Sequence, residues 1–127
     1  MVTRKGASPA PAPAFAKPLR IQRYAIYWAE LDPVRGREIA KTRPVLVVSP
    51  DAMNQRIETV VVCPLTSQLH THWASRVACS CAGKPSEIAV DQIRTLSKSR
   101  LTGLVGKIDT YTAAQVRGVI RLLYAAD

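Results

Sequence analysis

Two short apolar runs limit what this chain can fold into more than any other feature. Val45-Leu46-Val47-Val48 opens after Arg43-Pro44 and closes at Ser49-Pro50-Asp51, and the segment from Glu58 to Cys63 stops against Pro64. Each is rich in β-branched side chains, shorter than a helix and bounded by proline, so each reads as a strand buried on both faces. Between them, Ala52 to Gln55 has room for one helical turn. A chain built from such pieces turns every few residues, which predicts a compact barrel or a strongly curved sheet.

The flanking segments extend the pattern. Tyr24 to Leu31 alternates large and small residues until Asp32-Pro33 pushes the backbone out of a strand. Val34 to Thr42 is a polar, basic loop carrying Arg35, Gly36, Arg37, Glu38 and Lys41, long for a hairpin connection and so a candidate functional loop. Trp73 to Cys81 and Glu87 to Val90 predict a strand pair joined across Ala82-Gly83-Lys84-Pro85. Asp91 to Leu96 is expected to continue the second of these strands, and Leu104 to Ile108 to supply the last. The chain closes in a helix capped by Thr112 or Asp109, with Val116, Val119, Ile120 and Leu123 on one face and Arg117 and Arg121 on the other. Gly118 inside that helix costs about 1 kcal/mol against alanine, which predicts the close approach of another element or subunit. The expected class is mainly β with a C-terminal helix.

A length of 127 residues allows one core. The first twenty residues alternate Pro and Ala and hold Phe15 and Leu19 as their large apolar groups, too few to offset the entropy of ordering. Residues 1–21 are therefore read as a flexible basic tail and 22–127 as a single domain. A secretory signal is the competing reading of the tail, but Pro9, Pro11 and Pro13 interrupt the place of its apolar stretch. A cytoplasmic product is expected.

Eighteen Lys and Arg stand against nine Asp and Glu, a formal charge of +9. That balance favours a polyanion, bound with release of counterions, and nucleic acid heads the list. A membrane surface would ask for a basic amphipathic helix or a lipidation signal, and no apolar stretch is long enough to span a bilayer. No membrane partner is expected.

Cysteine and histidine do not assemble into a metal site. Cys63 sits in an apolar run as a small hydrophobe, and Cys79 and Cys81 fall on the Val77 side of a strand. His70 and His72 lie on one side of an extended segment, and two ligands do not close a zinc site. No metal and no cofactor are expected. A second reading lets His70, His72 and Trp73 line an RNA path, with Trp73 stacking on a base.

Several pieces together resemble one family. Ile26-Tyr27-Trp28-Ala29-Glu30-Leu31-Asp32-Pro33, then Gly36-x-Glu38, then Arg43-Pro44-Val45-Leu46-Val47-Val48-Ser49-Pro50 is similar to the opening signature of MazF/PemK/Kid toxins. Asn54, Pro64-Leu65-Thr66-Ser67-Gln68, Asp91-Gln92-Ile93-Arg94-Thr95-Leu96 and Arg100-Leu101 resemble later landmarks in the same order. The resemblance implies an SH3-like barrel of the CcdB/PemK type with a C-terminal helix, a homodimer that cleaves single-stranded mRNA at short sequences, and an antitoxin covering the RNA groove. That antitoxin is expected to be acidic and partly disordered, folding onto basic surface.

Metal-free cleavage of RNA requires the neighbouring 2′-hydroxyl to attack phosphorus, leaving a 2′,3′-cyclic phosphate and a 5′-hydroxyl. By the resemblance Arg43 and Thr66 are the catalytic pair. The Arg43 guanidinium is a planar, charged fork suited to two phosphate oxygens and poor as a base; its structural alternative is a salt bridge to Glu38. The Thr66 hydroxyl can donate to the scissile phosphate, or simply hold the turn after Pro64. Asp91 and Glu38 are each either catalytic or structural. Some relatives use a carboxylate at the Asp91 position with an Arg two residues earlier and a His in the first loop, but Ala89 and Arg37 stand there. Further departures are Tyr24-Ala25, where relatives often have Gly-Asp, and Thr42, where Gly is frequent. Arg35, Arg37, Lys41, Gln68, His70, His72, Trp73 and Arg94 complete the expected RNA-binding set.

The same fold type supports a second function, the binding of DNA gyrase by CcdB-type toxins. Those end in Trp-Gly-Ile, whereas this chain ends Leu123-Tyr124-Ala125-Ala126-Asp127 and keeps Arg43 and Thr66.

Overall fold

The computed structural model describes residues 20–31 and 42–125. The tail before Arg20 and the loop residues Arg35, Arg37, Glu38 and Lys41 lie outside the described residues, as does any pairing of Arg43 with Glu38.

The elements follow in the order β1 (Ala25–Glu30), β2 (Thr42–Val47), α1 (Asp51–Arg56), β3 (Thr59–Thr66), β4 (Arg76–Cys81), β5 (Lys84–Ala89), β6 (Arg94–Ser97), β7 (Leu101–Lys107) and α2 (Thr110–Tyr124). Short 3-10 turns at Val90–Gln92 and Lys98–Arg100 flank β6. The strands run β4-β5-β3-β2-β1-β7, with β6 also on β3, and every pairing is antiparallel. Strand alternation divides the apolar residues between two cores. Tyr27, Val45, Val47, Val60 and Val62 line the inside of the curled sheet, joined by Leu96 and Leu101. Ile26, Leu46, Cys63, Leu65 and Ile88 fill the other face, which α2 covers through Val116. The class is the expected one, a mainly β, curled half-barrel with a C-terminal helix.

Several sequence expectations are corrected. β3 does not stop at Pro64 but runs through it to Thr66. Along one edge β3 pairs with β6 as far as Val62 and with β5 from Leu65, so Pro64 falls in the gap where a missing N–H costs nothing on that edge. Asp91 to Leu96 does not continue β5: the Ile93 N–H bonds to the Val90 carbonyl at 3.2 Å, and the chain turns there to join β3 as β6. The β4–β5 turn is only Ala82-Gly83, both at positive φ (51° and 79°), the conformation a two-residue hairpin needs; Lys84 and Pro85 already pair with Cys81 and Ser80. β4 opens at Arg76 rather than Trp73, and β7 at Leu101 rather than Leu104.

Asp109 is the cap of α2, its carboxylate accepting from the Thr112 N–H at 2.7 Å. Val119 and Ile120 pack against the core, while Leu123 turns outward and is 38% exposed. No atom lies within 4 Å of where a Cβ would stand on Gly118, so no other element of the described chain crowds that position. Tyr24, in contrast, sits at φ 68°, and this explains why glycine suits its position. Its N–H donates to Val47 at 2.7 Å and its carbonyl accepts from Ile108 at 3.1 Å, so the backbone on both sides holds it there. Asn54 is buried at the end of the first helix turn, where its amide donates to the Ser49 carbonyl at 2.9 Å and its oxygen accepts from the Ser49 hydroxyl.

Candidate active site

The β2–β3 register brings the two foremost candidates together. Val45 pairs with Pro64 and Val47 with Val62, so counting outward along both strands sets Arg43 opposite Thr66. Both belong to the face that carries Val45 and Val62 into the curl, but they stand beyond its rim, where polar groups keep access to water. Directly opposed residues in an antiparallel pair hold their Cβ atoms about 5 Å apart. Arg43 and Thr66 accordingly line both of two adjoining depressions. One, of about 290 Å³, also takes in Leu31, Gln68, His70, Arg76 and Gln92. The other, of about 280 Å³, adds Trp28, Ser67, Lys84 and Ser86. A larger depression of about 660 Å³ beside Arg20, Asn54, Glu58 and Lys98 shares no residue with either.

Thr66 performs the local role weighed for it and keeps a second one available. Its hydroxyl oxygen accepts from the Gln68 N–H at 3.1 Å, which holds the turn after β3. A hydroxyl has one proton and two lone pairs, so the proton remains free to donate into the depression.

Beside this pair lies a charge cluster in which two side chains, those of Arg76 and Glu87, are buried. The Arg76 side chain, 6% exposed, donates from Nε to Asp91 at 2.9 Å and places Nη1 3.5 Å from Glu87, itself 3% exposed. Glu87 makes its shorter bond, 2.8 Å, to the backbone N–H of His70. Arg76 Nη1 is buried without a hydrogen-bond partner, a cost tolerated only where the surroundings hold the group in place. Burial alone would push the Asp91 carboxyl up, but hydrogen bonds from Arg76, Ser75 and its own backbone, with the Arg76 charge, bring it below its usual 3.8. Asp91 thus serves as the carboxylate that holds Arg76.

The aromatic residues continue the cluster. The Arg76 guanidinium stands 4.6 Å from the Trp73 ring centre, and Trp73 stacks on His70 with centroids 3.9 Å apart and planes 10° apart. Trp73 keeps 47% exposure. Of the expected RNA-binding residues, Gln68 and His70 come together with Arg43 and Thr66, while His72 and Arg94 line neither depression. Arg94 lies on β6 opposite Val62.

Sequence reasoning missed Arg76 and Glu87. The available signal was Glu87 itself, an acid directly before Ile88-Ala89-Val90, which strand alternation places on the side away from Ile88. Arg76 pairs with Ala89, so a guanidinium from β4 reaches the region where Ala89 replaces the arginine of some relatives.

The three thiols belong to the packing. Burial pushes Cys63 up to about 12, with the Asp91 charge adding to it, and Cys79 up to about 11. Among the described residues no three His, Cys, Asp or Glu side chains converge as metal ligands would.

Known proteins are similar to this chain in sequence and fold. The endoribonuclease MazF6 of Mycobacterium tuberculosis is 36% identical over 112 residues, covering 81% of this chain and 96% of that protein. Endoribonuclease EndoA of Bacillus subtilis is 34% identical over 94 residues, covering 70% and 81%. A MazE-MazF crystal structure from Deinococcus radiodurans superposes with a TM-score of 0.73 at 25% identity, over 86% of this chain and 99% of that one. Residues 22–124 match the family described as PemK-like, MazF-like toxin of type II toxin-antitoxin system. With its curled sheet, its terminal helix and that match over most of its length, the chain belongs to the PemK-like, MazF-like toxins of type II toxin-antitoxin systems.

Proposed function

We propose that this chain is an endoribonuclease that cuts single-stranded mRNA at short sequences without a metal, blocking translation in the cytoplasm. The observation that carries the proposal is the placement of Arg43 opposite Thr66 on the rim of the curl, in surface open to a polyanion. An attacking 2′-hydroxyl puts extra negative charge on the phosphoryl oxygens, and the Arg43 fork meets two of them. The Thr66 hydroxyl donates to a third group at the same phosphorus. Lys84 and the other cations of a chain with a formal charge of +9 draw the RNA strand in. The products are a 2′,3′-cyclic phosphate and a 5′-hydroxyl.

A homodimer and an acidic antitoxin belong to the same proposal. Exposed apolar side chains, Leu104 at 62% and Leu122 at 67%, favour a partner surface. The Deinococcus relative is a complex of MazF with MazE, and a basic groove suits an acidic segment that would occlude it.

The test is incubation of the purified protein with a long unstructured RNA in excess EDTA, with fragment ends mapped. Discrete cuts ending in cyclic phosphate are expected, with Arg43→Ala slower by about 100-fold or more. Intact RNA after exposure to folded, antitoxin-free protein would refute the assignment.

A further inference from the structure

The chemistry just described also needs a proton acceptor. Arg43 and Thr66 are hydrogen-bond donors toward the phosphate, but the attacking 2′-hydroxyl must lose a proton to an acceptor. Among the described residues lining the two depressions, Arg43, Arg76 and Lys84 bring cationic groups, Thr66, Ser67 and Ser86 neutral hydroxyls, Gln68 and Gln92 amides, and Cys81 a buried thiol. His70 is the one residue of this described set that carries an imidazole, a ring type that exchanges protons in the neutral range as a class. Among the described residues, the carboxylates near the two depressions are committed elsewhere, Asp91 to Arg76 Nε at 2.9 Å and Glu87 to Arg76 and the His70 backbone.

We propose that His70 is the general base of cleavage, held in position by the stack of Trp73 on its ring and by Glu87 on its backbone. The assignment rests on the ribonuclease reading. A base must present its nitrogen in a fixed direction, and the surroundings of His70 supply that constraint. The parallel stack at 3.9 Å sets the plane of the imidazole. The 2.8 Å bond from the His70 N–H to Glu87 pins the backbone that carries it. Arg76, held between Asp91 and Glu87, stands 4.6 Å from the Trp73 ring centre and backs the platform. Among the described residues, the charged groups around His70 are Arg43 from β2, Arg76 from β4, Glu87 from β5 and Asp91 from the following turn.

The step balances without a further reactant. Neutral imidazole takes the 2′-hydroxyl proton as the O2′–P bond forms and the P–O5′ bond breaks. The leaving O5′ takes a proton from water, and imidazolium returns its proton to solvent.

The experiment follows kcat and KM on an RNA oligonucleotide spanning one mapped cut, in EDTA, between about pH 5 and about pH 9. Wild type, His70→Gln and His70→Ala are compared, with thermal melts confirming that each is folded. The wild-type rate is expected to rise with pH and then level off. His70→Gln is expected to lose about 100-fold in kcat, with KM little changed and the levelling absent. Added imidazole is expected to restore part of the His70→Ala rate. A His70→Gln enzyme with wild-type kcat and pH profile, or one changed in KM alone, would overturn the assignment while Arg43→Ala still loses activity. Wild-type protein that leaves the RNA intact would overturn the ribonuclease reading and this assignment with it.

Discussion

At the scale of single residues, conformation and chemistry separate cleanly in this chain. Tyr24 illustrates the first: its φ of 68° is imposed by backbone bonds to Val47 and from Ile108, and the side chain must tolerate it. The ring contributes contacts with the guanidinium groups of Arg23 at 5.0 Å and Arg117 at 5.8 Å. Comparing Tyr24→Gly with Tyr24→Ala removes the ring in both and leaves the left-handed backbone as the difference. The glycine variant is expected to be more stable than the alanine variant by about 1 kcal/mol in urea unfolding, opposite to the order in a helix. Arg76 illustrates the second. No local pattern distinguishes an arginine at the start of a strand, and its importance arises only when folding brings Asp91, Glu87 and Trp73 around it.

At the scale of elements, α2 offers the converse of Tyr24. Gly118 lies in the middle of a regular helix with open space where a Cβ would stand. Gly118→Ala is expected to stabilise the fold by about 1 kcal/mol, read as a higher urea midpoint with an unchanged slope. Loss of the gain together with a change in oligomeric state would place a partner subunit against that position. The helix face, the two buried runs and the hairpin were legible in the sequence because each depends on neighbours in the chain. Val45 to Val48 is buried throughout, as its uniform apolar character indicated. The passage of β3 through Pro64 was not legible, since it depends on which strands lie on either side. Nor was the turn at Val90–Gln92, which Tyr124 also ties down, its hydroxyl donating to the Val90 carbonyl at 2.8 Å from the far end of α2. The likeness in motifs singled out Arg43 and Thr66, while the supporting cluster of Arg76 and Glu87 emerged only from strand pairing.

At the scale of the whole molecule, the excess of positive charge and two strategically placed carboxylates make acid the natural stress. Asp91 is held below its usual 3.8 by the Arg76 and Ser75 hydrogen bonds working against burial, and Asp109 is lowered by its bonds to Thr112. A depressed folded value means that the stabilising contribution is complete above about pH 4 and fades as pH falls through the folded values. Protonation also raises a net charge that already stands at +9, adding self-repulsion. The urea midpoint is therefore expected to hold between about pH 5 and about pH 7 and to fall below about pH 4. Asp109→Asn, which keeps a capping acceptor without the titration, is expected to lose less over the acid interval.

The pairing of β2 with β3 has one more consequence. Alternation sends Val45 and Val62 into the curl and Leu46, Cys63 and Leu65 to the opposite core, and the same alternation delivers Arg43 and Thr66 to the open rim. The strand thus behaves like a reading frame, in which the place of a residue is set by counting from its neighbours. Deleting a single residue between Val60 and Thr66 would turn Thr66 toward the helix-covered core, set Leu65 opposite Val45 and leave Ser67 on the rim, so the frame that builds the core also spells the site.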